Sequence, residues 1–270
     1  MDFSQYKLGK LPFAPKAKDL KLRNYVADLS ALIAAARVPM ASDMAKMATP
    51  TGTMPIWDAE PLYNNIAGCC VFTAFAKLVN LINQLTGSPV RVTADDVKAA
   101  YMKYGGYDPN RPETDNGFVI RDLLGIAQRE GLFGVKVLAY ALVGGDPVEM
   151  AIASWLGCGV IGGYSLPISA QGQVSATGRQ LWYVPPGGFP SGQGPGSWGG
   201  HCIHSQKQSP TLLGGNSWGE DTTWTLEWDG QCCDERWIVL VDAWFDPVLR
   251  RAPNGFALED LLADVRARTA

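Results

Sequence analysis

The sequence predicts an α+β protein, with helices gathered in its first half and strands in its second. Three observations carry that reading. Val71, Ala74, Phe75, Leu78, Val79, Ile82 and Leu85 recur at three- and four-residue steps, the period of one buried helix face. Beyond residue 200 the apolar runs are short, rich in β-branched and aromatic residues, and separated by Gly, Ser and Pro, as in strands joined by turns. The composition, 47% hydrophobic and 18% charged over 270 residues, supports a core of domain size.

Residues 1–50 read as an N-terminal arm and a short helix. Positions 7–25 mix Lys, Pro and Leu without a period, an extended arm over a globular body, and positions 29–37 are Ala/Leu-rich and helical. Residues 51–270 form a single domain, with a helical half over about 51–160, a sheet half over about 160–250 and a C-terminal helix over about 255–268. Turn formers fill 48–64. The Cys70–Leu85 helix stops at Gly87-Ser88-Pro89. Thr93-Ala94-Asp95-Asp96 caps a second helix through Tyr104. A polar loop follows from Gly105 to Asn116, and then a helix over Ile120–Glu130 ended by Gly131. Val135–Leu138 reads as a strand, Val148–Leu156 as a helix and Val160–Tyr164 as a strand. Residues 165–200 are a weakly patterned Gly/Ser/Gln/Pro-rich loop, of a length that usually has a function. Cys202–His204, Thr211–Leu213, Trp224–Trp228 and Arg236–Val241 complete the strands. The order of elements predicts two packed layers.

A net charge of −3 offers no basic field, which argues against nucleic acid as a partner. No apolar run approaches the roughly 20 residues of a membrane span. Met1–Lys7 lacks the apolar segment of a secretory signal, so cytoplasmic synthesis is expected. The six cysteines (69, 70, 158, 202, 232, 233) are too sparse for a disulfide scaffold and read as free thiols. No cofactor is expected. His201, Cys202, His204, Cys232 and Cys233 fit no zinc-knuckle spacing, and no Gly pair is followed by the Lys-Ser/Thr of a phosphate loop.

Three residues carry the chemistry. Cys70 opens the apolar helix, where unpaired backbone N–H groups and the helix dipole favour a thiolate. His201 follows 131 residues later in Trp198-Gly199-Gly200-His201, and Asn216 comes 146 residues after Cys70 in Asn216-Ser217-Trp218-Gly219. An imidazolium beside a thiol lowers its pKa and then protonates the leaving amine. A carboxamide on the other ring nitrogen fixes the tautomer. Asn64, six residues before Cys70, is placed to help the Cys70 N–H hold an oxyanion. Gly199 and Gly200 permit close approach of a substrate backbone, and Trp218 would shield the His201–Asn216 bond. Cys69 is the rival nucleophile and reads as packing. His204, three from His201 on an extended segment, faces the other way.

These motifs resemble papain-like cysteine peptidases. The matching stretches are Gly68-Cys69-Cys70 before the small and apolar Val71–Ala74, Gly200-His201, and Asn216-Ser217-Trp218-Gly219. The chain is similar, more closely, to papain-like proteins of bacteria and their phages, through Leu8-Gly9-Lys10-Leu11-Pro12, Tyr63-Asn64-Asn65, Gly106-Tyr107-Asp108-Pro109, Asp115-Asn116-Gly117, Trp198-Gly199-Gly200-His201 and Cys233-Asp234-Glu235. The resemblance implies a helical N-terminal half, with the nucleophile helix packed on an antiparallel sheet half. It also implies amide hydrolysis through a thioester, with a peptide or protein as substrate. A phage setting would add virion or bacterial-surface partners and incorporation into a virion. The departures are Asn64 where the family has glutamine, Val71 where it has tryptophan, and no recognisable propeptide. They keep open the alternative of a catalytically weak or inert fold used as a structural or binding module.

Overall fold

The longest apolar period in the sequence becomes the helix at the centre of the molecule. The computed structural model describes residues 4–17, 19–25, 60–176, 178–208 and 211–245. In it α1 runs Cys70–Thr86 and ends on Gly87 in the left-handed conformation. Its Cys70–Asn83 stretch is buried throughout, as expected of a helix with protein on all sides. α2 (Ala94–Gly105) starts at a Thr93–Asp96 capping box, and α3 (Ile120–Arg129) follows the polar loop. The helices expected over 29–37 and 255–268 lie outside the described residues.

β1 (Val137–Leu142), α4 (Pro147–Gly157), β2 (Val160–Leu166) and the two-residue β3 (Leu181–Trp182) come next. The chain then forms β4 (Gly199–Gln208), β5 (Leu212–Ser217), β6 (Glu220–Thr225), α5 (Leu226–Cys232) and β7 (Cys233–Val241). These strands form one seven-stranded sheet in the order β1-β7-β2-β4-β5-β6-β3. Every pairing is antiparallel except that of β3 with β6.

Two apolar clusters flank the sheet. One joins α1, α2 and α3 to Ile161, Cys202, Trp237, Val239 and Val241. The other joins α4 and α5 to Tyr164, Ile203, Ile238 and Leu240. The expected two layers are therefore too few around the central strands, because alternation turns successive residues to opposite faces and both faces carry apolar side chains. The predicted Trp224–Trp228 strand is also corrected. It breaks at Thr225, whose side chain accepts from the Trp228 N–H and starts α5. No described helix is long and apolar enough to cross a membrane.

Part of the 165–200 segment is pinned. It forms a helical turn at Ile168–Gln171, and the Trp182 indole N–H donates to the Ala170 carbonyl at 3.2 Å. The Trp182 ring lies 4.9 Å from that of Trp228 and 5.9 Å from that of Trp224. All three are fully buried, but the Trp228 indole N–H has no hydrogen-bond partner among the described residues. Trp228→Ala is therefore expected to lower stability by about 3–5 kcal/mol. Trp228→Phe, which sacrifices no hydrogen bond, should cost clearly less. Urea midpoints of the two variants check this.

Candidate active site

Cys70 is the first residue of α1, and the turn before it is fixed from the polar loop. The Gly68 N–H donates to both carboxylate oxygens of Asp115, at 2.9 and 3.1 Å. Asp115 also accepts from the Tyr101 hydroxyl at 2.7 Å, and that hydroxyl accepts the Gly117 N–H at 2.8 Å. The sequence marks Asp115 only as part of Asp115-Asn116-Gly117, and Tyr101 does not stand out in it.

The Cys70 thiol is fully buried, and burial pushes it up to about 11. The backbone N–H groups of Cys202 and Gly9 and the charge of Lys10 pull the other way. Cys69 is pushed up further, first by burial and then by charges that include Asp115. It contacts the Thr73 hydroxyl at 3.7 Å, in keeping with a packing role.

His201 sits in β4, its ring stacked 4.1 Å from that of Trp218. Its Nε2 pairs with the Ser217 hydroxyl at 2.8 Å, while Nδ1 has no hydrogen-bond partner among the described residues. Burial, and then the charge of Lys77, lower its pKa to about 3. At neutral pH the site thus holds a neutral thiol and a neutral imidazole with no hydrogen bond between them.

Asn216 does not hold the imidazole here. Its Oδ1 accepts from the Lys77 ammonium and from the Gly219 N–H, the latter at 3.2 Å. Lys77, two turns along α1 from Cys70, also donates to the Glu60 carbonyl at 2.9 Å. Asn216 and Ser217 are neighbours on one strand, so their side chains leave it on opposite sides, and Ser217 is the one that meets His201. The same alternation was the signal available in the sequence. Asn64 is buried and gives an amide N–H to the Ala67 carbonyl at 3.1 Å. His204 lies apart, its Nε2 bonded to the Cys158 carbonyl at 2.9 Å.

The feature that sequence reading missed is how deeply the arm enters this site. Trp218, in a left-handed conformation at φ 53°, stacks on Tyr6 and donates its indole N–H to the Lys7 carbonyl at 3.2 Å. Lys10 N–H donates to the Gly200 carbonyl at 3.1 Å. On the opposite wall the Phe118 N–H reaches the Gly9 carbonyl at 2.7 Å, and Leu11 N–H reaches the Phe118 carbonyl at 3.0 Å. A Cβ on Gly9 would fall inside contact distance of the Gly68 carbonyl, and one on Gly200 inside that of the Lys10 carbonyl. A Cβ on Gly199 would lie 2.8 Å from Leu8 Cδ1. Glycines on both sides thus let an extended backbone lie against the turn that precedes Cys70.

No family model and no curated protein matches the chain. A solved structure does. Xylellain, a cysteine protease from Xylella fastidiosa, superposes with a TM-score of 0.57 at 14% identity, over 87% of this chain and 96% of that one. The fold is that of a papain-like cysteine protease. In this papain-like fold the helical half carries Cys70, and the sheet half carries His201, Asn216 and Trp218.

The buried histidines also shape acid stability. His201 is lowered to about 3 and His204 to about 4, both chiefly by burial. Each takes a proton more readily when unfolded, so stability falls as pH drops from about 6.5 through that window, by about 1.4 kcal/mol per pH unit per histidine. His204→Gln should therefore show a smaller fall in Tm than the wild type between pH 6.5 and 4.5.

Proposed function

We propose that this chain is a cysteine-dependent hydrolase that cleaves a peptide or related amide bond, seen in a closed form. The observation that carries the reading is the groove beside Cys70. It holds an extended peptide backbone through the Gly200 carbonyl, which accepts from it on one wall, and through Phe118, which donates to it and accepts from it on the other. A groove that accepts one extended chain has the donors and acceptors to accept another.

In the proposed cycle the arm segment leaves, water returns, and Cys70 and His201 exchange a proton to give thiolate and imidazolium. The thiolate attacks the substrate carbonyl. The Cys70 N–H takes the oxyanion, joined by the Asn64 amide once it turns from Ala67. His201 protonates the leaving amine, and water then cleaves the thioester. Ser217 or Asn216 orients the imidazole, Gly199 and Gly200 border the substrate backbone, and Trp218 covers the pair. The arm is an occupant and not a substrate. The group it offers to the sulfur is the Gly9 N–H, and the Gly9 carbonyl is held by Phe118. A phage setting belongs to the same proposal and rests on sequence resemblance alone. It makes bacterial surface peptides and virion proteins the first substrates to try.

The test is hydrolysis of labelled casein and of a mixed peptide pool by the full chain. Activity should vanish in Cys70→Ala and fall by roughly three orders of magnitude in His201→Ala. Full activity in Cys70→Ala would sink the proposal. The second reading, an inert binding or structural module, is favoured by a neutral thiol and a neutral imidazole with no hydrogen bond between them and by the Asn64 amide bonded to Ala67. Under it no variant that frees the groove gains hydrolysis.

A further inference from the structure

The deepest charge in the arm is Lys10, and the place that holds it is built. Its ammonium lies 2.6 Å from Asp234 Oδ2 and 3.7 Å from Glu235 Oε1. The Ser165 hydroxyl donates to the same Asp234 oxygen at 2.9 Å. Asp234 and Glu235 lie near the start of β7, and Glu235 stands in register with Gly163 of the neighbouring β2. The absence of a side chain at Gly163 makes the channel. A Cβ there would press on Lys10 Cε, and would lie 2.8 Å from Glu235 Cγ and 3.0 Å from Ile120 Cδ1.

Glu235 is the telling member. Its side chain is 1% exposed, and its Oε2 accepts the Trp237 indole N–H at 2.6 Å. Its Oε1 is buried with no hydrogen-bond partner among the described residues. Asp234, whose side chain is 30% exposed, opens the socket to water on one side. With the arm withdrawn, two adjacent carboxylates remain at the end of an aliphatic channel. One of them is dry, an arrangement that is costly unless a cation enters. Lys10 directly follows Gly9, whose N–H faces the Cys70 sulfur, so the socket stands one residue from the nucleophile.

We propose that this socket is a specificity pocket that selects a lysine or arginine side chain of the peptide substrate beside the scissile bond. The inference rests on the peptidase reading above. In it Lys10 is a resident stand-in for that side chain. Asp234 and Glu235 supply the charge, and Gly163 supplies the room for an aliphatic stem. A neutral residue of the same length leaves Glu235 Oε1 unpaired in a dry site, and this disfavours it far more than a lost surface contact would.

The experiment measures binding apart from turnover. Full-length Gly9→Ala protein, with the arm unseated, is titrated by tryptophan fluorescence with acetyl-Leu-Gly-Lys-Leu-amide and with the same peptide carrying norleucine for lysine. The lysine peptide is expected to bind at least tenfold more tightly. That preference should disappear in Asp234→Asn/Glu235→Gln, and Gly163→Ala should weaken lysine-peptide binding about tenfold. Lys10→Ala, which empties the socket without touching Gly9, serves as the second background if Gly9→Ala does not fold. Equal affinity for the two peptides, or binding of neither, overturns the proposal. Cleavage sites in a mixed peptide pool then separate the two claims. Lysine-selective binding without cleavage sinks the peptidase reading and leaves the socket, whereas cleavage blind to charge does the reverse.

Discussion

Gly9→Ala is expected to raise the rate at which iodoacetamide labels Cys70 at pH 7 by roughly two orders of magnitude. The argument is steric first. The added methyl group would fall inside contact distance of the Gly68 carbonyl, a backbone atom held in place because the Gly68 N–H is bonded to Asp115. The arm must therefore give way, and the Gly200 and Phe118 hydrogen bonds to it are lost together. The rest is electrostatic. Burial is the main reason the thiol stands at about 11, and a hydrated cysteine returns toward about 8.5. That change multiplies the thiolate fraction at pH 7 by a few hundred. The imidazole moves oppositely, since the burial that lowers it to about 3 is relieved. An unchanged rate would mean that Cys70 is sealed by the core and not by residues 8–11.

Arg236→Leu is expected to cost about 3–5 kcal/mol at pH 7, because it leaves a buried carboxylate without its cation. Arg236 is ion-paired with Asp229, whose other oxygen accepts the Trp224 indole N–H at 3.1 Å. The pair thus fastens β7 to α5 and the tryptophan cluster. Burial already raises Asp229, and Arg236 opposes that rise. Without the arginine the folded pKa climbs further, so the folded variant binds a proton that the unfolded chain at the same pH releases. Its stability deficit should therefore shrink as pH falls from the raised value toward about 4. Urea titrations of wild type and variant at pH 7 and pH 5 test both parts. A deficit that grows on acidification would contradict the account.

The sequence located the structure best where its local signals agreed. α1 begins at Cys70 and ends at Thr86, close to the expected Cys70–Leu85, because its apolar period and Gly87 agree. α2 was legible through Thr93 and Asp96, a purely local device. The stretch Trp224–Trp228 was misread because its aromatic residues fit a strand while Thr225 caps a helix, and the cap prevailed. Of the site, Cys70 and His201 were visible as residue types at suitable separations. Their partners were not. Strand alternation shows only that Asn216 and Ser217 face opposite ways. That Ser217 is the one on the ring, that Lys77 meets Asn216 and that Asp115 meets Gly68 are long-range contacts that no spacing rule encodes. The expected extended arm over 7–25 includes a one-turn helix at Leu22–Tyr25, and the arm's seat in the groove depends on Gly9, Gly68, Gly117 and Gly200 meeting across the fold.

The most direct test of the central claim is the pH profile of Cys70 alkylation by iodoacetamide from pH 5 to 8. It is measured in full-length Gly9→Ala and in Gly9→Ala/His201→Ala, with the labelled cysteine mapped by mass spectrometry. The account predicts fast labelling of Cys70 below pH 7 in the first protein, and a collapse to the rate of an ordinary thiol in the second. Identical profiles would show that His201 does not activate Cys70, and would contradict the assignment of this pair as nucleophile and base.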